Sequence, residues 1–146
     1  MMRRGSQIYA LILIPLAALL SSCASGETGI KIEAAWARPA VQGANTAVYL
    51  QITNLDPDDA WISVESSEAE AAELHRSILQ ADGTARMERQ DKIGLTQNET
   101  VELVPGGLHV MLFGLKQTLE PGDRINLSLV FNQHERVEIN VPVKNP

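Results

Sequence analysis

The run GGLHVMLFGL, residues 106–115, sets a histidine and a methionine two positions apart, His109 and Met111, inside a stretch that otherwise reads as a buried strand. Side chains on a strand alternate between faces, and successive residues of one face lie about 6–7 Å apart, so the two can converge on one atom. Both offer a lone pair, nitrogen in one and soft sulfur in the other, and the chemistry open to such a pair is metal ligation. By itself the pair stays ambiguous. A strand histidine is commonly hydrogen-bonded structure, and an exposed methionine commonly does nothing.

The chain holds four methionines and three histidines. Met1 and Met2 fall in a leader, which leaves Met87 and Met111. Neither sits where a gap-filling methionine is expected: Met87 lies in the polar TARMERQDK, and Met111 is on the opposite strand face from Leu108, Val110 and Leu112. Among the histidines, His75 in AELHRS is a further candidate. His134, in FNQHER between two strands, reads as an ordinary exposed turn residue with no second ligand type near it.

The leader is legible from composition. Arg3 and Arg4, the apolar run IYALILIPLAALL (8–20) and the small residues of LSSC (20–23) have the layout of a secretory signal over residues 1–22, too short to span a bilayer comfortably. The ending resembles the lipobox of bacterial lipoproteins, in which the signal is cut before a cysteine that takes the lipid. That resemblance makes Cys23 a membrane anchor, 23–29 a lipidated tether and 30–146 the folded domain, held outside the cytoplasm. Loss of the two arginines leaves ten basic residues against eighteen acidic, a balance that argues against nucleic acid as a partner. With its single cysteine at the anchor, the domain has no disulfide, no thiolate ligand and no thiol nucleophile, so soft-metal chemistry falls to methionine.

The elements that must hold these residues are strands. TAVYLQITN (46–54), AWISVES (60–66), ETVELV (99–104), GLHVMLFGL (107–115), RINLSLVF (124–131) and RVEINVPV (136–143) are short, alternating and separated by turn residues. Ile125, Leu127, Leu129 and Phe131 share a face, as do Val137, Ile139, Val141 and Val143. The spacing predicts an all-β sandwich of about seven or eight strands, two sheets face to face. SSEAEAAELH (66–75) has helical composition without an apolar stripe and reads as a short turn of helix or a loop entering a strand.

His75, Met87, His109 and Met111 stand at the spacing of the metal motif of the periplasmic copper chaperones of the PCu(A)C type: eleven residues between the first two, then twenty-one before HVM. AWARPAVQGANTAVYLQITN (35–54) resembles that family's opening strand pair, and PGGLHVMLFGLKQTLEPGDRINLSLVF (105–131) is similar to its second half. The resemblance covers residues 30–143. It implies a cupredoxin-like or immunoglobulin-like β-sandwich of Greek-key antiparallel strands, with Cu(I) bound by His75, Met87, His109 and Met111. It further implies a non-enzymatic carrier whose recipient is a copper-receiving protein such as a cytochrome oxidase subunit, for the dinuclear copper centre, or copper homeostasis generally. One position departs: many members have a methionine straight after the first histidine, where this chain has Arg76, a fixed charge expected to weaken cation binding.

The ligand chemistry suits that task. Thioether sulfur selects monovalent copper over zinc, magnesium and calcium, and imidazole adds affinity without adding charge. Neither is lost to disulfide formation in an oxidising compartment. A tight hairpin turning at Asp82-Gly83 would pair Ile78 with Met87 and send His75 to the other face, so residues 80–92 are expected to form a longer excursion that curls Met87 back. The competing reading is a lipid-anchored β-sandwich interaction module without metal function. A redox enzyme is disfavoured by the absence of a C-x-x-C motif, and no Ser/His/Asp arrangement or catalytic carboxylate pair stands out.

Overall fold

Where apolar side chains recur every second residue, the chain forms strands whose apolar faces meet. The computed structural model describes residues 29–146; the leader at 1–22, Cys23 and the tether through residue 28 lie outside them. The strands are β1 (Ile30–Ala37), β2 (Thr46–Asn54), β3 (Asp59–Ser66), β4 (Ala69–Leu79), β5 (Ala85–Arg89), β6 (Ile93–Leu95), β7 (Thr100–Leu103), β8 (Leu108–Leu115), β9 (Arg124–Phe131) and β10 (Val137–Pro142). Among the described residues there is no helix.

Six strands form one sheet in the order β1-β2-β7-β8-β4-β5, and four form the other, β10-β9-β3-β6. Strand β2 serves two neighbours, pairing Thr46–Val48 with β8 and Leu50–Thr53 with β7. Val48, Leu50, Ile52, Val110 and Leu112 from the larger sheet, and Trp61, Ile125, Leu127 and Leu129 from the smaller, are buried in the core between them. The sandwich is closed along one side by a bridge from Ala37 to Val143. All-β architecture with the expected strand faces is therefore what the described residues adopt, in ten strands rather than seven or eight.

Two irregularities keep that core continuous. On β3 the register shifts between Trp61 and Ser63, so the buried positions change parity from Trp61 to Val64. On β8 the change falls at Gly114, whose φ of +59° lets Leu115 turn back to the core after Val110 and Leu112.

The stretch at 66–75 corrects the sequence reading. It is a turn at 67–68 entering β4, with no helix. Its alanines and glutamates favour a helix locally, yet the strand pairs with β8 from Ala69 to Arg76 and with β5 from His75 to Leu79. The β8 ladder along this stretch, joined by β5 from His75 onward, outweighs an intrinsic preference worth a few tenths of a kcal/mol per residue.

Leu127 is wholly buried on β9, an inner strand of the smaller sheet. Leu127→Ala is expected to lower the unfolding free energy by about 2–5 kcal/mol, read from urea denaturation of the purified protein, because the rigid sandwich cannot collapse into the space left.

Candidate metal centre

The centre lies on the face of the six-stranded sheet that points away from the smaller sheet. In the β4–β8 ladder Leu74 lies opposite Val110 and both enter the core, so the next pair, His75 opposite His109, faces outward. Met111 follows His109 on that face, opposite Glu73 on β4 and Ala47 on β2. On the other side of β4, Met87 of β5 lies opposite Ser77, which shares the face of His75. The four sequence-selected residues thus occupy one face of three adjacent strands.

Although outward, this face is covered. His109 is 2% exposed and His75 9%, whereas Met87 is 53% exposed at the sheet's edge. An aromatic row shields the imidazoles: Tyr49 lies 6.4 Å from His109 and Phe113 5.6 Å from His75, ring centre to ring centre, with Trp36 packed on Tyr49 at 4.8 Å. Arg38 caps the Tyr49 ring at 5.6 Å. A cavity of about 360 Å³ opens beside them, lined by Arg38, Asn45, Tyr49, Ser77, Met87, His109 and Met111 among others. His75 lies next to His109, their ring centres 6.0 Å apart and their planes tilted by 44°. That is within the span two imidazoles take when both bind one ion at about 2 Å.

Each ring has one nitrogen bonded and one bare. His75 Nε2–H donates to Glu73 Oε2 at 2.9 Å, and His109 Nδ1–H donates to the Gly107 carbonyl at 3.1 Å. Among the described residues, His75 Nδ1 and His109 Nε2 are the buried side-chain polar atoms without a hydrogen-bond partner. Leaving a buried acceptor unmet costs about 1–3 kcal/mol, so two of them side by side call for a ligand that accepts lone pairs. Burial pushes the His109 pKa below the ordinary imidazole value; the Gly107 hydrogen bond raises it in part, and the neighbouring His75 lowers it further. His109 is therefore neutral, its lone pair free, at physiological pH. Among the described residues no group of three His, Cys, Asp or Glu side chains is placed to hold a metal ion; the soft donors on the face of the histidines are the thioethers of Met87 and Met111.

Two expectations are corrected. Residues 80–92 make no long excursion: β4 and β5 are a tight hairpin, with Gln80 N–H donating to the Thr84 carbonyl and Gly83 at φ +84° closing a loop of Ala81, Asp82 and Gly83. The third loop residue moves the pairing partner of Met87 from Ile78 to Ser77, and one step of register reverses the face. Arg76 does not sit at the site, because alternation along β4 sends it to the face opposite His75, against Leu108 and Glu88 in register. The nearby cations are Arg38, which lines the cavity, and Arg89, opposite His75 on β5 with Nη1 3.7 Å from Glu73 Oε1. Sequence reasoning missed Glu73, Tyr49 and Phe113. For Glu73 a signal existed, a carboxylate two residues before a strand histidine and hence on its face.

Comparison with known proteins places this chain and its fold among relatives. The family model described as lipoprotein LpqE-like matches residues 30–143. A relative from Leifsonia xyli subsp. xyli that carries the name of a lipoprotein is 30% identical over 118 residues, 80% of this chain and 70% of its own length. The copper-bound PCuAC domain from PmoF2 superposes with a TM-score of 0.67 at 29% identity, over 83% of this chain and 97% of that one. The apo PCuAC domain from PmoF1 does so with a TM-score of 0.69 at 26% identity, over 83% and 98%. The resemblance to the PCu(A)C chaperones seen in the sequence, and the β-sandwich it implied, are thereby borne out.

The third histidine is distant from this face and is more than a turn residue. His134 Nδ1 lies 2.5 Å from Asp59 Oδ2 and Nε2 3.1 Å from Asp56 Oδ2, which ties the loop after β9 to the start of β3. Asp59, with no exposed side-chain surface, also accepts from the backbone N–H groups of Ala60, Gln133 and His134. Burial pushes the Asp59 carboxyl up, but the His134 side chain and these N–H groups outweigh it and hold the pKa below the ordinary value. The Asp59 hydrogen bond, opposed by burial and aided by Asp56, raises that of His134. A histidine whose folded pKa is raised contributes stability that is complete below its unfolded value of about 6.5 and fades as pH climbs through the folded one. The destabilisation caused by His134→Ala, measured by urea unfolding, is therefore expected to be larger at about pH 6 than at about pH 8.5.

Proposed function

The chain belongs to the LpqE-like lipoprotein family, and from that premise we propose that it is an extracytoplasmic carrier of Cu(I), a chaperone rather than an enzyme, in which His75, Met87, His109 and Met111 hold the ion. The observation that carries this reading is the pair of bare imidazole nitrogens, buried side by side on the face that also bears the only two methionines outside the leader. Copper named in the PmoF2 domain supports the choice of metal. The donor chemistry supports the oxidation state, since two neutral nitrogens and two thioethers add no negative charge and favour a soft monovalent ion.

The cavity gives the cargo a way in and out. His109 and Met111 line its wall, and half-exposed Met87 stands at its edge. A partner's donor arriving there could replace one thioether while the remaining ligands keep the ion. The recipient in this reading is a copper-receiving protein such as a cytochrome oxidase subunit carrying the dinuclear copper centre, or a component of copper homeostasis. Residues 1–22 act as the signal, Cys23 carries the lipid and 23–29 tether the domain at 30–146 to the membrane; the lipoprotein names of the family and of the Leifsonia xyli relative support that anchor.

Cu(I) competition titration against a chelator is expected to find one ion per chain. Met87→Leu and Met111→Leu should each weaken it roughly tenfold or more, since leucine keeps the volume and removes the sulfur. Unfolding free energies of both variants should stay within about 1.5 kcal/mol of wild type. A double Met87→Leu, Met111→Leu variant with undiminished Cu(I) affinity would sink the ligand assignment. For the anchor, Cys23→Ser is expected to move the protein out of the membrane fraction or leave it unprocessed, which fractionation and the mass of the N-terminus would report.

A further inference from the structure

Glu73 has no part in the ligand set, yet it is the residue His75 touches through a hydrogen bond. It precedes His75 by two positions on β4, shares its face and lies opposite Met111. One carboxylate oxygen accepts the His75 Nε2–H at 2.9 Å, and the other faces Arg89 at 3.7 Å.

Resting on the copper reading, we propose that Glu73 is the positioning residue of the centre. By holding the proton on His75 Nε2 it makes the two histidines bind through unlike nitrogens, His75 through Nδ1 and His109 through Nε2. A neutral imidazole carries one proton and can coordinate only through the other nitrogen. An ionised carboxylate accepts and cannot donate, so the nitrogen facing Glu73 must carry the proton. On His109 the Gly107 carbonyl, also an acceptor only, fixes the proton at Nδ1. The two nitrogens left bare by these bonds are the two that lack any partner.

The arrangement also places charge. The carboxylate makes the imidazole it holds a better donor and gives an arriving cation a favourable field. Arg89, reaching the second oxygen from the opposite strand, holds the carboxylate toward His75 and tempers that field. Nδ1 lies close to its own backbone and Nε2 at the far end of its ring. Unlike nitrogens therefore let paired residues on neighbouring strands meet at one point without stacking face to face, in keeping with their 44° tilt.

The test uses the purified protein and two variants, Glu73→Ala and Glu73→Gln, the amide keeping the size of the side chain but adding a donor to its acceptor oxygen. Long-range proton–nitrogen spectra of the metal-free protein at about pH 7.5 are expected to show His75 protonated at Nε2 in wild type and as a mixture of tautomers in Glu73→Gln, whose NH2 can donate to Nε2. In Glu73→Ala, His75 should be a mixture of tautomers, with His109 unchanged at Nδ1. Cu(I) should shift His75 Nδ1 and His109 Nε2, and its affinity should fall about 10- to 100-fold in Glu73→Ala and stay below wild type in Glu73→Gln, where full recovery would show that Glu73 serves only to fill space. Wild-type His75 protonated at Nδ1, or a Glu73→Ala variant with unaltered tautomer and Cu(I) affinity, overturns this inference alone. A wild type that takes up no Cu(I) while His75 shows the Nε2–H tautomer overturns the copper reading instead.

Discussion

His75 lies opposite His109 because Leu74 lies opposite Val110 and Ala72 opposite Leu112. Those inward side chains enter the space between the sheets, where Val110 and Leu112 are wholly buried and Leu74 nearly so, and nothing else in the β4–β8 ladder is free to choose. A slip of one residue would turn Leu74 out to the aromatic face and drive an imidazole into the core. The packing of the sandwich thus sets the spacing of the centre. The hairpin carries the same constraint outward: with three residues between Gln80 and Thr84, β5 takes the parity that puts Met87 on the face of His75.

Having turned the histidines outward, the fold then shuts them in. Tyr49, Phe113 and the segment around Pro105 and Gly106 remove water from a sheet face that would otherwise be solvated, and the cost falls on the two bare nitrogens. A domain selected for stability alone would fill these positions with apolar side chains of similar volume. Two acceptors without a protein partner make this face less stable than an apolar one would be. Any cation that binds the folded form then contributes its binding free energy to folding as well. Low basicity at His109 serves the same end, since a neutral ring neither repels a cation nor has to release a proton to it.

How much of this the sequence discloses depends on how local the cause is. TAVYLQITN and RINLSLVF coincide with β2 and β9 because alternation and flanking turns act within the segment. The H-x-M pair was readable for the same reason, since a period of two puts His109 and Met111 on one face wherever the strand lies. β4 was not: its alanines and glutamates carry the wrong propensity, and only its two neighbours make it a strand. Met87 was misplaced through a single loop residue, because the choice between two and three residues at Ala81-Asp82-Gly83 reverses the face of everything after it. His134 was undervalued since its partners Asp56 and Asp59 stand more than seventy residues earlier in the chain.

The four candidate donors differ in how firmly the fold holds them, and the difference has a direction. His75 and His109 sit on paired strands inside the sheet, buried and each tied through its second nitrogen, so neither can swing away without breaking a hydrogen bond. Met111 shares β8 with His109 and is half-buried. Met87 belongs to β5, an edge strand of five residues that pairs with β4 alone, and most of its surface is open to water. An unbranched thioether on such an edge has the most freedom of the set. In the copper reading an exchange between proteins would therefore begin at Met87: the edge sulfur gives way to an incoming donor, and the imidazoles release the ion last, after the recipient has already bound it. A site made of four equally buried ligands would hold the ion as well but offer no first step for letting it go.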